Sequence, residues 1–324
     1  MSADALALNL SGNPTTDVNL DFQKYLDERH RELSVHLVNG IPDYAFSLDQ
    51  QLRRKLAAIP PVRYLAQAIA SASLSFKKQI MLMNGVAVTP KQYPEIYEMV
   101  QDCAQTLGIG VPEIFVKFDP TPNAYTYASS QAADMIVVHS SLVEMTTYDE
   151  LKFIMGHECG HIHNLHSVYN TAAEILSNPA MNLIASTVPG LQAVVKLASG
   201  ALGLFFKHWS RAAEVTCDRA GAICVGSIYA GQTGLAKLAT GGGTAYGKIN
   251  VDELIKQMQR TQATPLRLME LTASHPLIPK RLKALELFSE CDVLFEWRPE
   301  MRSTRPERTH AEVDAECAQQ IRVL

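Results

Sequence analysis

The chain has 324 residues, 47% of them hydrophobic and 19% charged, with a formal net charge of −4. This is globular composition with ample length for a buried core, and without a basic stripe or an acidic block it argues against a nucleic-acid partner or a charged tail. The six cysteines are dispersed with no CxxC, which fits a reducing compartment better than a disulfide framework.

Residues 1–20 are small and polar and are expected to be loosely ordered. They show no basic n-region and no long apolar run, so no secretory signal is expected and the cytoplasm is the default location. Residues 21–38 predict a helix, stopped by Asn39-Gly40-Ile41-Pro42. From about 48 to 83 the pattern is again helical, apart from a stop at Pro60-Pro61. "YPEIYEMVQDCAQTLGI" (93–109) is an amphipathic helix with Ile96, Val100, Cys103 and Leu107 on its apolar side. "PEIFVKFD" (112–119) alternates and predicts a strand, and 123–129 and 134–145 predict two more, the last running into a helix.

Tyr148 to Ser167 predicts a strong helix with Asp149 and Glu150 in its first turn, where the helix dipole favours acids. The stretch "LIASTVPGLQAVVKLASGALGLFF" (183–206) is apolar but interrupted by Pro189, Gly190, Gln192 and Lys196. A broken pair of buried helices is the favoured expectation, and peripheral contact with a membrane is the other. Residues 210–230, rich in alanine and glycine, predict a helix that approaches a neighbour closely and lies at the centre of the fold. A flexible loop is expected over 240–247, a proline turn leading into a helix over 275–290, and a charged, loop-like tail over 291–324. The class is α+β and mostly helical, with a core over 91–290 and a helical segment over 1–90 that packs on or covers it.

"GHECGHIHNLH" (156–166) carries the chemistry. His157 and His161 stand at i and i+4, so one helix face presents both rings. Two imidazoles at that spacing can hold one Zn²⁺ at the usual bond length of about 2.0–2.1 Å. Glu158 is rotated off that face, where a carboxylate can take a proton from a metal-bound water. A catalytic zinc needs a third protein ligand. His166 is one residue out of register for the extended histidine pattern, and His163 points to another face, so solvent or an outer contact is expected for both. Glu174 serves only if the helix breaks early. Glu214 is the better candidate, because an acid on an alanine-rich buried helix must be paired, hydrogen-bonded or metal-bound. Asp218, at i+4 from Glu214, is suited to accept an N–H from a ligand imidazole. The structural alternative for both acids is a salt bridge with Arg211 or Arg219. Cys159 and Cys217, close to these residues, are expected to be small core filler.

"HECGHIHNLH", "SRAAEVTCDRAG", "SHPLIPKRL" and "PNAYTYAS" followed by "MIVVHSSLVEM" together resemble the M48 family of zinc metallopeptidases, which includes the Ste24-type CAAX-prenyl endopeptidases and HtpX-like quality-control proteases. The resemblance runs from about 90 to 290. It implies a gluzincin-type zincin core with a short mixed sheet and one Zn²⁺ held by His157, His161 and Glu214. It implies Glu158 as the base, Asp218 as support, and Asn123 and Ala124 opening an edge strand that pairs with an extended protein or peptide substrate. His275 is expected near the site, helping to stabilise the oxyanion, and Arg281 holds that segment through a salt bridge. The activity implied is that of a metalloendopeptidase, with a latent or inactive zinc-binding regulatory protein of the same fold as the alternative. Spanning helices of the membrane relatives have no clear counterpart, so a soluble or peripherally attached chain is expected.

Overall fold

The computed structural model describes residues 36–38, 40–58, 78–127, 134–166, 203–241, 249–257, 277–302 and 307–321. The expectations for 1–35, Glu174, residues 183–202 and His275 lie outside these residues. At 37–38 the expected helix is replaced by a strand: β1 (Leu37–Val38) pairs with β2 (Ile41–Pro42) as a hairpin, with Gly40 at φ +72°. Asn-Gly is a hairpin signal as much as a helix stop, and here the hairpin wins.

After α1 (Ser47–Ala57) the chain builds a mixed sheet from β3 (Gly85–Ala87), β4 (Glu113–Lys117), β5 (Ala124–Tyr127) and β6 (Met135–His139), in the order β3-β4-β6-β5. The β4–β6 pair is parallel and the other two pairs are antiparallel. Alternation divides the side chains. Ile114, Val116, Ile136 and Val138 face the main core, while Phe115, Met135 and Val137 form a smaller cluster with Met81 on the other face. Between β3 and β4 lies α2 (Pro94–Leu107), with proline in its first turn and Gly108 left-handed at its C-terminus. Its Ile96, Val100, Cys103 and Leu107 are all buried, as the periodicity predicts.

From β6 the chain runs through α3 (Ser140–Met145) into α4 (Tyr148–His163), the helix that carries the histidines. Its start is fixed by a capping box between Thr147 and Glu150, and Glu150 also accepts a 2.6 Å bond from Lys237. The alanine-rich helix is α5 (Gly203–Val225), and it ends five residues earlier than expected. Gly226 takes φ +67° and Ser227 caps a separate helix, α6 (Ile228–Thr240). α4 and α5 touch nearly backbone to backbone. A Cβ added at Gly156 would stand 2.6 Å from Cys224 Cβ, and one at Gly160 would stand 2.7 Å from Ala220 Cβ and 3.2 Å from Cys217 Cα. Among the described residues, no helix is long and apolar enough to cross a membrane.

Beyond α7 (Val251–Gln257) and α8 (Ile278–Phe288), residues 291–302 and 307–321 depart from the expected loop. They form α9 (Asp292–Trp297) and α10 (His310–Ile321), with Val313, Cys317 and Ile321 buried at four-residue spacing. Asp314 on α10 accepts 2.7 Å and 2.8 Å bonds from Arg219 and from the Ser47 backbone N–H, fastening α10 to α5 and to the start of α1. Arg219, 1% exposed, also stacks over Phe46 and Phe288. Asp314→Ala leaves that guanidinium buried without its charge partner, and a loss of about 3–5 kcal/mol is expected in urea unfolding. A loss below about 1 kcal/mol would mean that the pair is effectively solvated.

Candidate metal centre

Three side chains from two helices converge. His157 Nε2 lies 3.6 Å from Glu214 Oε2, and His161 Nε2 lies 3.6 Å from Glu214 Oε1. All three residues are buried, with exposures of 6%, 7% and 3%. The two rings stand nearly perpendicular, at 81° and 5.0 Å between centroids. Around a tetrahedral metal with bonds of about 2.0–2.1 Å, donor atoms sit about 3.3 Å apart. The observed separations, from a two-nitrogen, one-carboxylate donor set, fit such an ion. The glycine contact between α4 and α5 is what brings Glu214 to the histidines across so long a stretch of sequence.

Cys217 is a competing third donor, since it, His157 and His161 each bring a donor atom within 4.8 Å of the others. Burial pushes its thiol well up, and the neighbouring carboxylates of Glu214 and Asp49 push it further. Glu214 is the better donor on geometry: its two oxygens each face a ligand Nε2 at 3.6 Å, while Cys217 Sγ lies 3.4 Å from His166 Nδ1, which borders the outer nitrogen of His161.

The outer nitrogens of both rings are engaged. His157 Nδ1 lies 2.9 Å from Asp218 Oδ1. Asp218 also takes a two-pronged contact from Arg281, with Nε to Oδ2 at 2.8 Å and Nη2 to Oδ1 at 2.6 Å. Burial raises the Asp218 carboxyl pKa, but Arg281 and His157 outweigh it and hold the group below its usual range. Arg281 also places Nη1 3.1 Å from Glu214 Oε2, so one residue of α8 anchors both acids of α5. Of the alternative partners expected for these acids, Arg219 turns to Asp314 instead. On the other ring, His161 Nδ1 lies 3.2 Å from His166 Nδ1, and His166 Nε2 lies 2.9 Å from Asp49 Oδ2 on α1. His166 is fully buried, and burial holds its pKa below the ordinary histidine value despite Asp49.

Glu158 stands apart from the donor set and is 5% exposed. Thr126 on β5 donates its hydroxyl to Glu158 Oε2 at 2.6 Å, with Glu158 O at 3.2 Å. Sequence reasoning missed Thr126, although the strand period from Ala124 puts it on the same face. Among the described residues β5 is one of the two edge strands of the sheet, and the backbone carbonyl of its neighbour Asn123 accepts the His139 N–H at 2.9 Å. Asn123 is exposed and Ala124 is half-buried against the core. His163 is the acceptor or donor partner of Tyr44 Oη at 2.9 Å, and burial lowers its pKa to about 4. Cys159 and Cys217 are free, fully buried thiols.

Residues 90–288 match the family described as peptidase family M48. The chain belongs to peptidase family M48. Members of this family are metal-dependent peptidases, and the buried donor cluster lies within the matched stretch. The plastoglobule-localized metallopeptidase 48 of Arabidopsis thaliana is 32% identical over 259 residues, covering 76% of this chain and 72% of that protein. A protease HtpX homolog of Streptococcus gordonii is 32% identical over 108 residues, covering 33% of this chain and 36% of the relative. One from Streptococcus pyogenes is 31% identical over 121 residues, covering 36% and 40%. The M48 chain thus spans well under half the length of these HtpX homologs. Among solved structures it is similar to Ste24p of S. mikatae at 17% identity and a TM-score of 0.37, over 82% of this chain and 73% of that one.

Proposed function

We propose that this M48 chain is a zinc metalloendopeptidase with one Zn²⁺ held by His157, His161 and Glu214. The observation that carries this reading is the pair of 3.6 Å separations between the two Nε2 atoms and the two Glu214 oxygens. Zinc, when bound, supplies Lewis acidity toward a water and toward the scissile carbonyl. Glu158 is the general base: it takes the proton of the attacking water and passes it to the leaving amine. Thr126 occupies Oε2 of Glu158, which keeps the carboxylate oriented and leaves Oε1 for the proton. Asp218 Oδ1 accepts a hydrogen bond from His157 Nδ1–H and so keeps Nε2 of that ring as the ligand atom. Arg281 holds Asp218 and Glu214 in register.

The substrate is a protein or peptide in extended form, added to the outer edge of β5 beside Asn123 and Ala124. His275 is assigned to oxyanion stabilisation on the resemblance of its Ser-His-Pro turn, as is a setting in protein quality control. Peripheral attachment to a lipid surface through 183–206 accords with the plastoglobule name of the Arabidopsis relative. A purely structural zinc site needs no Glu158, which weighs against an inactive zinc-binding regulatory protein, while a latent protease would keep it.

The test is metal content of the full chain paired with quenched-peptide cleavage, before and after a chelator. One zinc per chain is expected, with cleavage abolished by the chelator and restored by zinc. Zinc without cleavage would support the latent reading, and a purified chain that binds no metal would overturn both.

A further inference from the structure

Asp49 lies outside residues 90–288, the stretch that matches the family. It is 2% exposed. Its Oδ1 accepts the Trp209 indole N–H at 2.8 Å, and its Oδ2 takes Thr216 Oγ1 at 2.8 Å and His166 Nε2 at 2.9 Å. The chain adopts an unusual conformation to make the last contact. Leu165, exposed and not a glycine, takes φ +56° in the turn after α4, and the next residue is His166. A left-handed leucine persists only where surrounding contacts hold it there.

The hydrogen-bonding chemistry then has one consistent direction. A carboxylate only accepts, so the His166 proton sits on Nε2. The Nδ1 of a neutral His166 is therefore bare, and it faces His161 Nδ1 at 3.2 Å. The proton between those two nitrogens belongs to His161, which leaves His161 Nε2 bare on the side of Glu214. Cys217 Sγ, 3.4 Å from the same His166 nitrogen, can only add a second, weak donor and does not reverse the order.

We propose that Asp49, acting through His166, is a positioning residue for the metal site, fixing His161 in the tautomer that binds metal through Nε2. This rests on the ligand role proposed above for His161. The two ligand rings are then set by different means. Asp218, inside the family region, sets His157 directly. Asp49, on a helix outside it, sets His161 at one remove. α1 is part of the centre rather than a removable cover.

The test uses the full chain with D49N, where an amide N–H₂ can face His166 Nε2 and drive its proton to Nδ1. His161 must then carry its own proton on Nε2. Zinc affinity, measured by chelator competition, is expected to fall about 10–100-fold. In the metal-free protein, imidazole ¹⁵N spectra are expected to show the His161 proton moved from Nδ1 to Nε2. T216V is the control: it loosens α1 from α5 but leaves the Asp49–His166 contact. It is expected to lower unfolding stability while zinc affinity stays within about 3-fold. If D49N does not fold, H166F breaks the same relay at its middle, and the same loss of affinity is expected. D49N that binds zinc like the parent, with the His161 proton still on Nδ1, overturns the relay. Equal weakening by D49N and T216V also overturns it, by reducing Asp49 to a packing contact. A parent that binds no zinc would defeat the metal reading, while the ¹⁵N spectra would still decide the tautomer claim.

Discussion

Glu158→Gln is expected to leave the metal content at that of the parent and to cut kcat/KM for peptide cleavage by at least about 10²–10⁴-fold. The separation follows from where the side chain sits. His157 and His161 turn toward Glu214, while Glu158 turns toward β5 and receives the Thr126 hydroxyl at 2.6 Å. Glutamine has the same shape, and its carbonyl oxygen can accept that same bond, so the buried surroundings change little. What the amide cannot do is take and return a proton. Zinc analysis and initial rates on a quenched peptide check both halves. A variant that cleaves like the parent would remove Glu158 from the mechanism. One that loses metal and activity together would make it part of the metal cage.

The histidine face was legible because helical spacing is local: i and i+4 put His157 and His161 side by side whatever the rest of the chain does. Glu214 was legible at one remove. An acid among alanines on an otherwise buried helix demands a partner, and small residues signal close approach, but the sequence does not say which helix approaches. β4, β5 and β6 were placed to within about two residues, because their alternation is also local, while β1, β2 and β3, of two or three residues each, were too short to show any and were not expected. Thr126 was not found, since its contact with Glu158 depends on how β5 registers on β6 and how the sheet lies on α4. The Asp49–His166 contact joins residues 117 positions apart and leaves no local pattern. His166 was expected in solvent or an outer contact; it makes the outer contact, 3.2 Å from His161 Nδ1, and is fully buried. The end of the chain misled for another reason. Only three apolar residues of α10 are buried, spaced by acids and glutamines, and its hold on the core comes from Asp314 meeting Arg219, a long-range ion pair.

Gly160→Ala is expected to weaken the centre without touching any polar atom of it. An added Cβ would stand 2.7 Å from Ala220 Cβ and 3.2 Å from Cys217 Cα. Neither is the end of a flexible side chain, so the two helices must separate. Alanine gains about 1 kcal/mol in helix propensity over glycine, while overpacking in a dense core costs about 1–3 kcal/mol. Steric cost therefore wins, and a net loss of up to about 2 kcal/mol is expected in urea unfolding of the metal-free protein. The site suffers with it. Glu214 is one turn before Cys217 on α5, and His161 follows Gly160 on α4. Pushing the helices apart at that point lengthens the 3.6 Å separations across which the donors meet. Zinc affinity and kcat/KM should fall together, by about 10-fold or more. A Gly160→Ala chain that is more stable and binds zinc as tightly would show that helix contact does not set the donor geometry.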